Sequence, residues 1–247
     1  MSADNSQKVA LVTGAGRGLG SGIAEALGRA GYRVAAGYRS SRAGAEAVAS
    51  QFEASLAVQV DVGDARSVED AVGQVREQLG PIDVLINNAG IAQEKPFLEL
   101  TDEEWEQMLS VNLMGGVRCV RHTLPHMLDN GWGRIVNISS IGGQWGGMNQ
   151  LHYAASKAAM INFTRSIAKL YSSQGITSNA IAPGLVATEM SAAELTSEAG
   201  QQKVAGIPAG RLGSVEEVGA TTAFLCSDGA AYITGQTINL NGGMLFD

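Results

Sequence analysis

The chain has 247 residues, 45% of them apolar, and a formal net charge of -7. This length fits one large α/β domain over residues 1–247, and the acidic balance excludes a nucleic-acid footprint, which needs a basic face. The two cysteines, Cys119 and Cys226, sit in apolar helical patterns away from any ligand-spaced histidine, so they read as buried thiols and no metal site follows. The polar start Met1–Lys8 and the lack of a long apolar run predict a cytoplasmic protein without a membrane span.

Val9 to Val12 is a short apolar strand that stops at a glycine-rich turn, and Ile23 to Ala30 then shows helical spacing ending at Gly31. Arg33 to Ala36 reads as a second strand and Ala43 to Phe52 as a helix. Leu56 to Val60 is a third strand, followed by a helix through Val68, Val72 and Val75 that ends near Gly80-Pro81. Val84 to Ile86 is a fourth strand, fully apolar as buried parallel strands are. A longer helix runs around Trp105 to Leu128, with Thr101 and Glu104 as its capping box. Ile135 to Ile138 is a fifth strand, Ala154 to Tyr171 a long helix and Ile176 to Ile181 a sixth strand. Val215 to Leu225 is a helix and Thr237 to Leu240 the last strand. This β-α-β alternation predicts a Rossmann-type, doubly wound parallel sheet of about seven strands with helices on both faces. The stretch from about 187 to 207 breaks the rhythm, and it is expected to form a substrate lid.

The first strand runs into Thr13-Gly14-Ala15-Gly16-Arg17-Gly18-Leu19-Gly20, and a helix follows. Such glycines let backbone approach a pyrophosphate, which the positive end of a helix attracts. Asn87-Asn88-Ala89-Gly90 follows the fourth strand, Asn112 lies in the next helix and Ser139-Ser140 follows the fifth strand. Tyr153-x-x-x-Lys157, Pro183-Gly184 and Thr188 come next, in that order. Together, from Lys8 to Gly243, these motifs resemble the short-chain dehydrogenase/reductase family.

Tyr153 and Lys157, four apart at a helix start, share one helix face. A lone pair of this kind reads equally well as an amphipathic helix start with an exposed lysine. A free tyrosine titrates too high for acid-base work at neutral pH, and a nearby ammonium is expected to lower it. The resemblance implies that Tyr153 donates a proton to a carbonyl oxygen as hydride arrives. It implies that Lys157 tunes Tyr153 and holds the nicotinamide ribose, Ser140 bonds the carbonyl oxygen, and Asn112 holds a relay water. Ser139 remains an alternative to Ser140.

The resemblance further implies a nucleotide site made by Gly14, Arg17, Gly18, Leu19, Gly20, Asp61, Val62, Asn88, Ala89, Gly90, Tyr153, Lys157, Pro183, Gly184, Val186 and Thr188. The second strand ends in Gly37-Tyr38-Arg39-Ser40, with no carboxylate to hold a ribose 2′-hydroxyl. Arg39 and Arg17 are suited to a 2′-phosphate, which makes NADP(H) the expected cofactor, although both also read as solvated surface charges.

Pro208-Ala209-Gly210-Arg211-Leu212-Gly213 and Asn241-Gly242-Gly243 resemble the bacterial 3-oxoacyl-carrier-protein reductases. Trp132 to Ser140 resembles the related acetoacetyl-CoA reductases. These likenesses imply reduction of a 3-oxoacyl thioester, with a general ketone reductase or a secondary-alcohol, polyol or steroid dehydrogenase as the alternative. Basic residues that would grip an acidic carrier at the active-site entrance are replaced by Gly131 and Gln174, which makes carrier-protein docking doubtful. Trp145, Gln150, His152, Leu185 and Met190 are expected to line the substrate pocket, with His152 in a structural or pocket-wall role rather than as catalyst. Family likeness also implies a homotetramer.

Overall fold

The computed structural model describes residue 5 and residues 8–188 and 198–246. Its elements are β1 (Val9–Val12), α1 (Gly18–Arg29), β2 (Arg33–Tyr38), α2 (Arg42–Ala49), β3 (Leu56–Gln59), α3 (Ala65–Gln78) and β4 (Ile82–Asn87). They continue with α4 (Asp102–Leu109), a π-helical turn (Ser110–Met114), α5 (Gly115–Asn130), β5 (Gly133–Ile138), α6 (Gly142–Trp145), α7 (Leu151–Tyr171) and β6 (Ile176–Pro183). The last three are α8 (Glu198–Ala205), α9 (Val215–Cys226) and β7 (Thr237–Leu240).

All seven strands run parallel in the order β3-β2-β1-β4-β5-β6-β7. Side chains alternate across each strand, so β1 sends Ala10 and Val12 to one face and Val9 and Leu11 to the other. The first face is covered by Ile23 and Leu27 of α1, Val48 of α2, and Val218 and Leu225 of α9. The second is covered by Val68 and Val75 of α3, Leu124 and Met127 of α5, and Ile167 of α7. Two apolar layers thus hold one sheet, each buried Leu or Ile contributing about 1.5–3 kcal/mol.

The chain winds outward in opposite directions from β1 and β4, so helices leave opposite faces at this seam. The crevice between them opens at the carboxyl ends of the strands, where open α/β sheets bind ligands. Several helices begin earlier than their apolar patterns predict. α1 starts at Gly18 rather than Ile23, because a first turn of Gly-Leu-Gly-Ser carries little apolar signal. α7 starts at Leu151 rather than Ala154, which puts Tyr153 in its first turn. The single helix expected over Trp105 to Leu128 is α4 and α5 joined through the π turn. The Thr101–Glu104 capping box forms as expected, and Ser214 and Glu217 make a second one at α9.

Candidate active site

Two observations explain the shape of the glycine turn. Gly14 has a left-handed φ of 70°, and a Cβ there would lie 3.0 Å from the Ala89 Cα. A Cβ on Gly20 would collide with the carbonyl of Gly14. Thr13 locks this turn to the end of β4: its hydroxyl donates to the Ile86 carbonyl and accepts from the Asn88 and Ala89 N–H groups, each at 3.0 Å. The Asn88 amide in turn donates to the carbonyl of Thr13 at 2.8 Å. Arg17, at the N-cap of α1, offers no side-chain cap, so the first-turn amides of Gly18, Leu19 and Gly20 face the adjoining space.

That space is a cleft of about 580 Å³, within the usual range for a small-molecule site. Around it stand Gly14, Arg17, Gly18, Leu19, Gly20, Arg39, Asp61, Val62, Asn88, Ala89, Gly90, Tyr153, Lys157 and Thr188. Its fit to a dinucleotide rests on three features: backbone tightly interlocked at the turn, an uncapped helix start, and two guanidinium groups at one end. Among the described residues, neither Arg17 nor Arg39 is paired with a carboxylate.

At the other end, Ser140 Oγ accepts from the Gly142 N–H at 3.1 Å, and a Cβ on Gly142 would lie 3.4 Å from Ser140 Oγ and 4.0 Å from the Tyr153 ring, so the serine and the tyrosine flank the same glycine. Ser139 is committed elsewhere, since its hydroxyl donates to the Lys157 carbonyl at 2.9 Å. Lys157 is buried, donates to the Ile138 carbonyl at 2.8 Å and has its Nζ 5.7 Å from the Tyr153 ring centre. Asn112, in the π turn, accepts from the Ile91 N–H at 2.8 Å and donates to Ser156 Oγ at 3.1 Å. A Cβ on Gly90 would lie 3.2 Å from Asn112 Oδ1 and 3.5 Å from Lys157 Nζ, so both groups flank that glycine. Serine, tyrosine, lysine and asparagine therefore converge from β5, α7 and the π turn.

A family model described as enoyl-(acyl carrier protein) reductase matches residues 14–245. The chain belongs to the short-chain dehydrogenase/reductase family of oxidoreductases. A 3-oxoacyl-(acyl-carrier-protein) reductase from Staphylococcus aureus is 43% identical over 241 residues, 96% of this chain and 98% of that protein. An acetoacetyl-CoA reductase from Rhizobium meliloti is also 43% identical, over 97% of this chain and 99% of its own. A protein of Beutenbergia cavernae, provisionally identified as an NAD(P)-dependent gluconate 5-dehydrogenase and crystallised with NADP at low occupancy, superposes with a TM-score of 0.90. It is 36% identical, with 97% of each chain covered.

Within this short-chain dehydrogenase/reductase, the electrostatics correct one expectation. Burial raises the Tyr153 phenol above its usual value, with only a partial offset from the nearby Ser140 hydroxyl. The ammonium was expected to lower it, yet desolvation dominates and Tyr153 stays protonated at neutral pH. Burial also pulls Lys157 down to about 8.

The substrate side departs further from expectation. Trp145 is 52% exposed, Leu185 borders open space, and Gln150 is tied to Glu94 at 2.9 Å. His152 is no pocket wall: its side chain is fully buried, tilted against Trp105 and 3.0 Å from Gln93 Oε1. A histidine preceding Tyr153 on a helix turns away from the face that carries Tyr153. Met190 and residues 189–197 of the expected lid lie outside the described residues; of the remainder, Glu198–Ala205 is helical. Pro183, Gly184 and Val186, also expected to hold the nucleotide, are not among the residues lining the cleft: Gly184 bonds Leu240, and Val186 pairs with Gly213. Gly131 and Gln174 stand before β5 and β6, at the opposite end of the sheet from Ser140 and Tyr153. They do not flank this subunit's entrance, because a parallel strand separates its amino end from its carboxyl end by its full length.

The cleft also includes Tyr38, Ser41, Ile91, Val111 and Ile138, which sequence reasoning did not single out. Position after a strand end was the available signal for most of them. Val111 had none, because the π turn that presents it leaves no trace in the apolar spacing.

Proposed function

We propose that this protein is an NADPH-dependent ketoreductase that converts a 3-oxoacyl thioester to its 3-hydroxy product. The observation that carries the reading is Tyr153 and Lys157 at one end of a cleft whose other end holds Arg17 and Arg39, with Ser140 beside the Tyr153 ring. NADPH, when bound, supplies a hydride to the carbonyl carbon. Arg39 and Arg17 hold the 2′-phosphate, and the first-turn amides of α1 hold the pyrophosphate. Lys157 binds the nicotinamide ribose. The Gly142 N–H occupies a lone pair of Ser140 Oγ, leaving the serine proton to bond the carbonyl oxygen. Tyr153 gives that oxygen its proton, so C=O becomes CH–OH with charge balanced. Asn112 holds the water through which Tyr153 regains its proton. A phenol kept neutral by burial suits the reductive direction.

Support for the substrate comes from the two relatives at 43% identity, both thioester reductases by name. A net charge of -7 disfavours an acidic carrier protein as partner, so a CoA thioester is favoured. The reading includes a single domain with its substrate lid, a cytoplasmic location and a homotetramer. Among the described residues no helix is long and apolar enough to cross a membrane. Exposed Leu170, Phe224, Tyr232 and Phe246 suit subunit contacts, and a monomeric mass in solution overturns the tetramer.

A second reading, oxidation of a polyol or sugar acid, draws on the likeness to the Beutenbergia cavernae protein. The deciding assay follows NADPH oxidation with acetoacetyl-CoA beside a simple ketone, and NADP reduction with gluconate. Thioester turnover lost in Tyr153→Phe supports the proposal; turnover of gluconate alone overturns it.

A further inference from the structure

α7 begins without a side-chain cap of its own, at Gln150, after Asn149 with a left-handed φ of 56°. The segment after β4 supplies what the cap lacks. The Lys95 N–H donates to the Asn149 carbonyl at 2.7 Å, Gln150 Nε2 donates to Glu94 Oε1 at 2.9 Å, and His152 Nε2 meets Gln93 Oε1 at 3.0 Å. Three successive residues of one segment thus grip the start of the catalytic helix.

The last contact continues inward. Gln93 Nε2 donates to Glu104 Oε1 at 2.7 Å, and Glu104 also accepts from Lys95 Nζ and, at 2.9 Å, from the Thr101 N–H. Those bonds, the Thr101 N–H foremost, hold the Glu104 carboxyl down at about 2, so it is ionised at any working pH. With its amide nitrogen facing a carboxylate, Gln93 must present its oxygen to His152. His152 therefore donates from Nε2, and its buried Nδ1 has no partner.

We propose that His152 is a positioning residue which, through Gln93 and Glu104, fixes the first turn of α7 and so sets the Tyr153 hydroxyl against Ser140. The proposal rests on the reading of Tyr153 as proton donor. His152 works as the neutral imidazole. Burial lowers its affinity for a second proton, and a proton on Nδ1 would find no acceptor. The charged groups that act on it are Glu104 of α4 and Lys95; Trp105 packs on its ring. Protonation, below the ordinary histidine range, forces the ring out of its site and releases the helix start.

The test compares His152→Phe, which keeps the shape without the donor, with His152→Gln, which keeps a donor near the Nε2 position. Gln93→Met, at a half-buried residue, attacks the same bond from the other side. His152→Phe and Gln93→Met should each lower kcat about tenfold, with KM and NADPH affinity changed less than about twofold, and the double variant should be no worse than either. His152→Gln should recover most of the rate and lose the acid limb of the pH profile. Amide hydrogen exchange over residues 151–157 of the ligand-free protein should be about tenfold faster in Gln93→Met. Unchanged kcat with unchanged exchange overturns the clamp, as does a His152→Gln no better than His152→Phe. Should the wild type reduce no ketone, the functional reading fails while the exchange arm still decides the clamp.

Discussion

The two ends of the cleft are built on different principles. At the nucleotide end the backbone does the shaping: glycines meet neighbouring main chain, and Thr13 and Asn88 bind strand to strand. Beyond Ser140 the side chains of the following loop border open space, with Trp145 at 52% exposure and Met148 at 95%. Ser140, Tyr153 and Lys157 stand between the two, on elements tied into the sheet. A site that must bind one invariant ligand is set by main-chain geometry, which tolerates few residues. A site that selects among substrates is left to side chains that can change without disturbing the fold.

The contrast predicts a descending series of effects. Tyr153→Phe removes the proton donor without touching the nucleotide end, so ketone turnover should fall about 10³-fold while NADPH affinity, read by fluorescence titration, stays within about threefold. An equal loss of binding would show the two ends to be coupled. Gly20→Ala sets a Cβ against the Gly14 carbonyl, so the turn must shift. NADPH affinity should fall about tenfold or more, the equivalent of one charge-assisted hydrogen bond, with the melting temperature little changed. Arg39→Ala should reduce preference for NADPH over NADH by about tenfold, measured as the ratio of kcat/KM values; an unchanged ratio would move the 2′-phosphate to Arg17.

Lys157 sharpens the boundary through pH. Burial lowers its value from 10.5 to about 8, so its charge is lost as pH rises through about 8 and NADPH binding should weaken there. The stability sign is opposite: the cost of burying this ammonium is full below about 8 and gone above 10.5, so this group alone favours folding as pH rises. Binding that is flat from pH 7 to 9 would remove Lys157 from the ribose contact. The smallest effect belongs to Trp145→Ala, which should raise the ketone KM by about threefold and leave stability within about 0.5 kcal/mol, as expected for a half-exposed side chain.

Strand centres and motif order were legible because each has a local cause. Buried parallel strands are short apolar runs, and phosphate turns need glycine. The origin of α1 was hidden because its first turn has few apolar side chains to show a period, and the π turn because one inserted residue only shifts a phase. The Tyr153 environment was misread for a different reason: a neighbouring lysine is visible in a sequence, whereas desolvation depends on everything packed around it. His152 belongs to the same class, since Gln93, Glu104 and Trp105 meet it only in the folded chain. Gly131 and Gln174 show the reverse error, a functional place assigned without knowing which end of a strand it occupies.

The sheet order also fixes a sequence in time. Strands β1 to β4 lie within the first 87 residues, and β5, β6 and β7 then join one edge in the order they are made. No later strand has to slip between two earlier ones. On a ribosome, the phosphate turn, Arg39, Asp61 and the Asn88–Gly90 segment all emerge before the serine, tyrosine and lysine that act on substrate. The nascent chain can thus lay down its nucleotide platform first and add the reacting groups to it by edge growth alone.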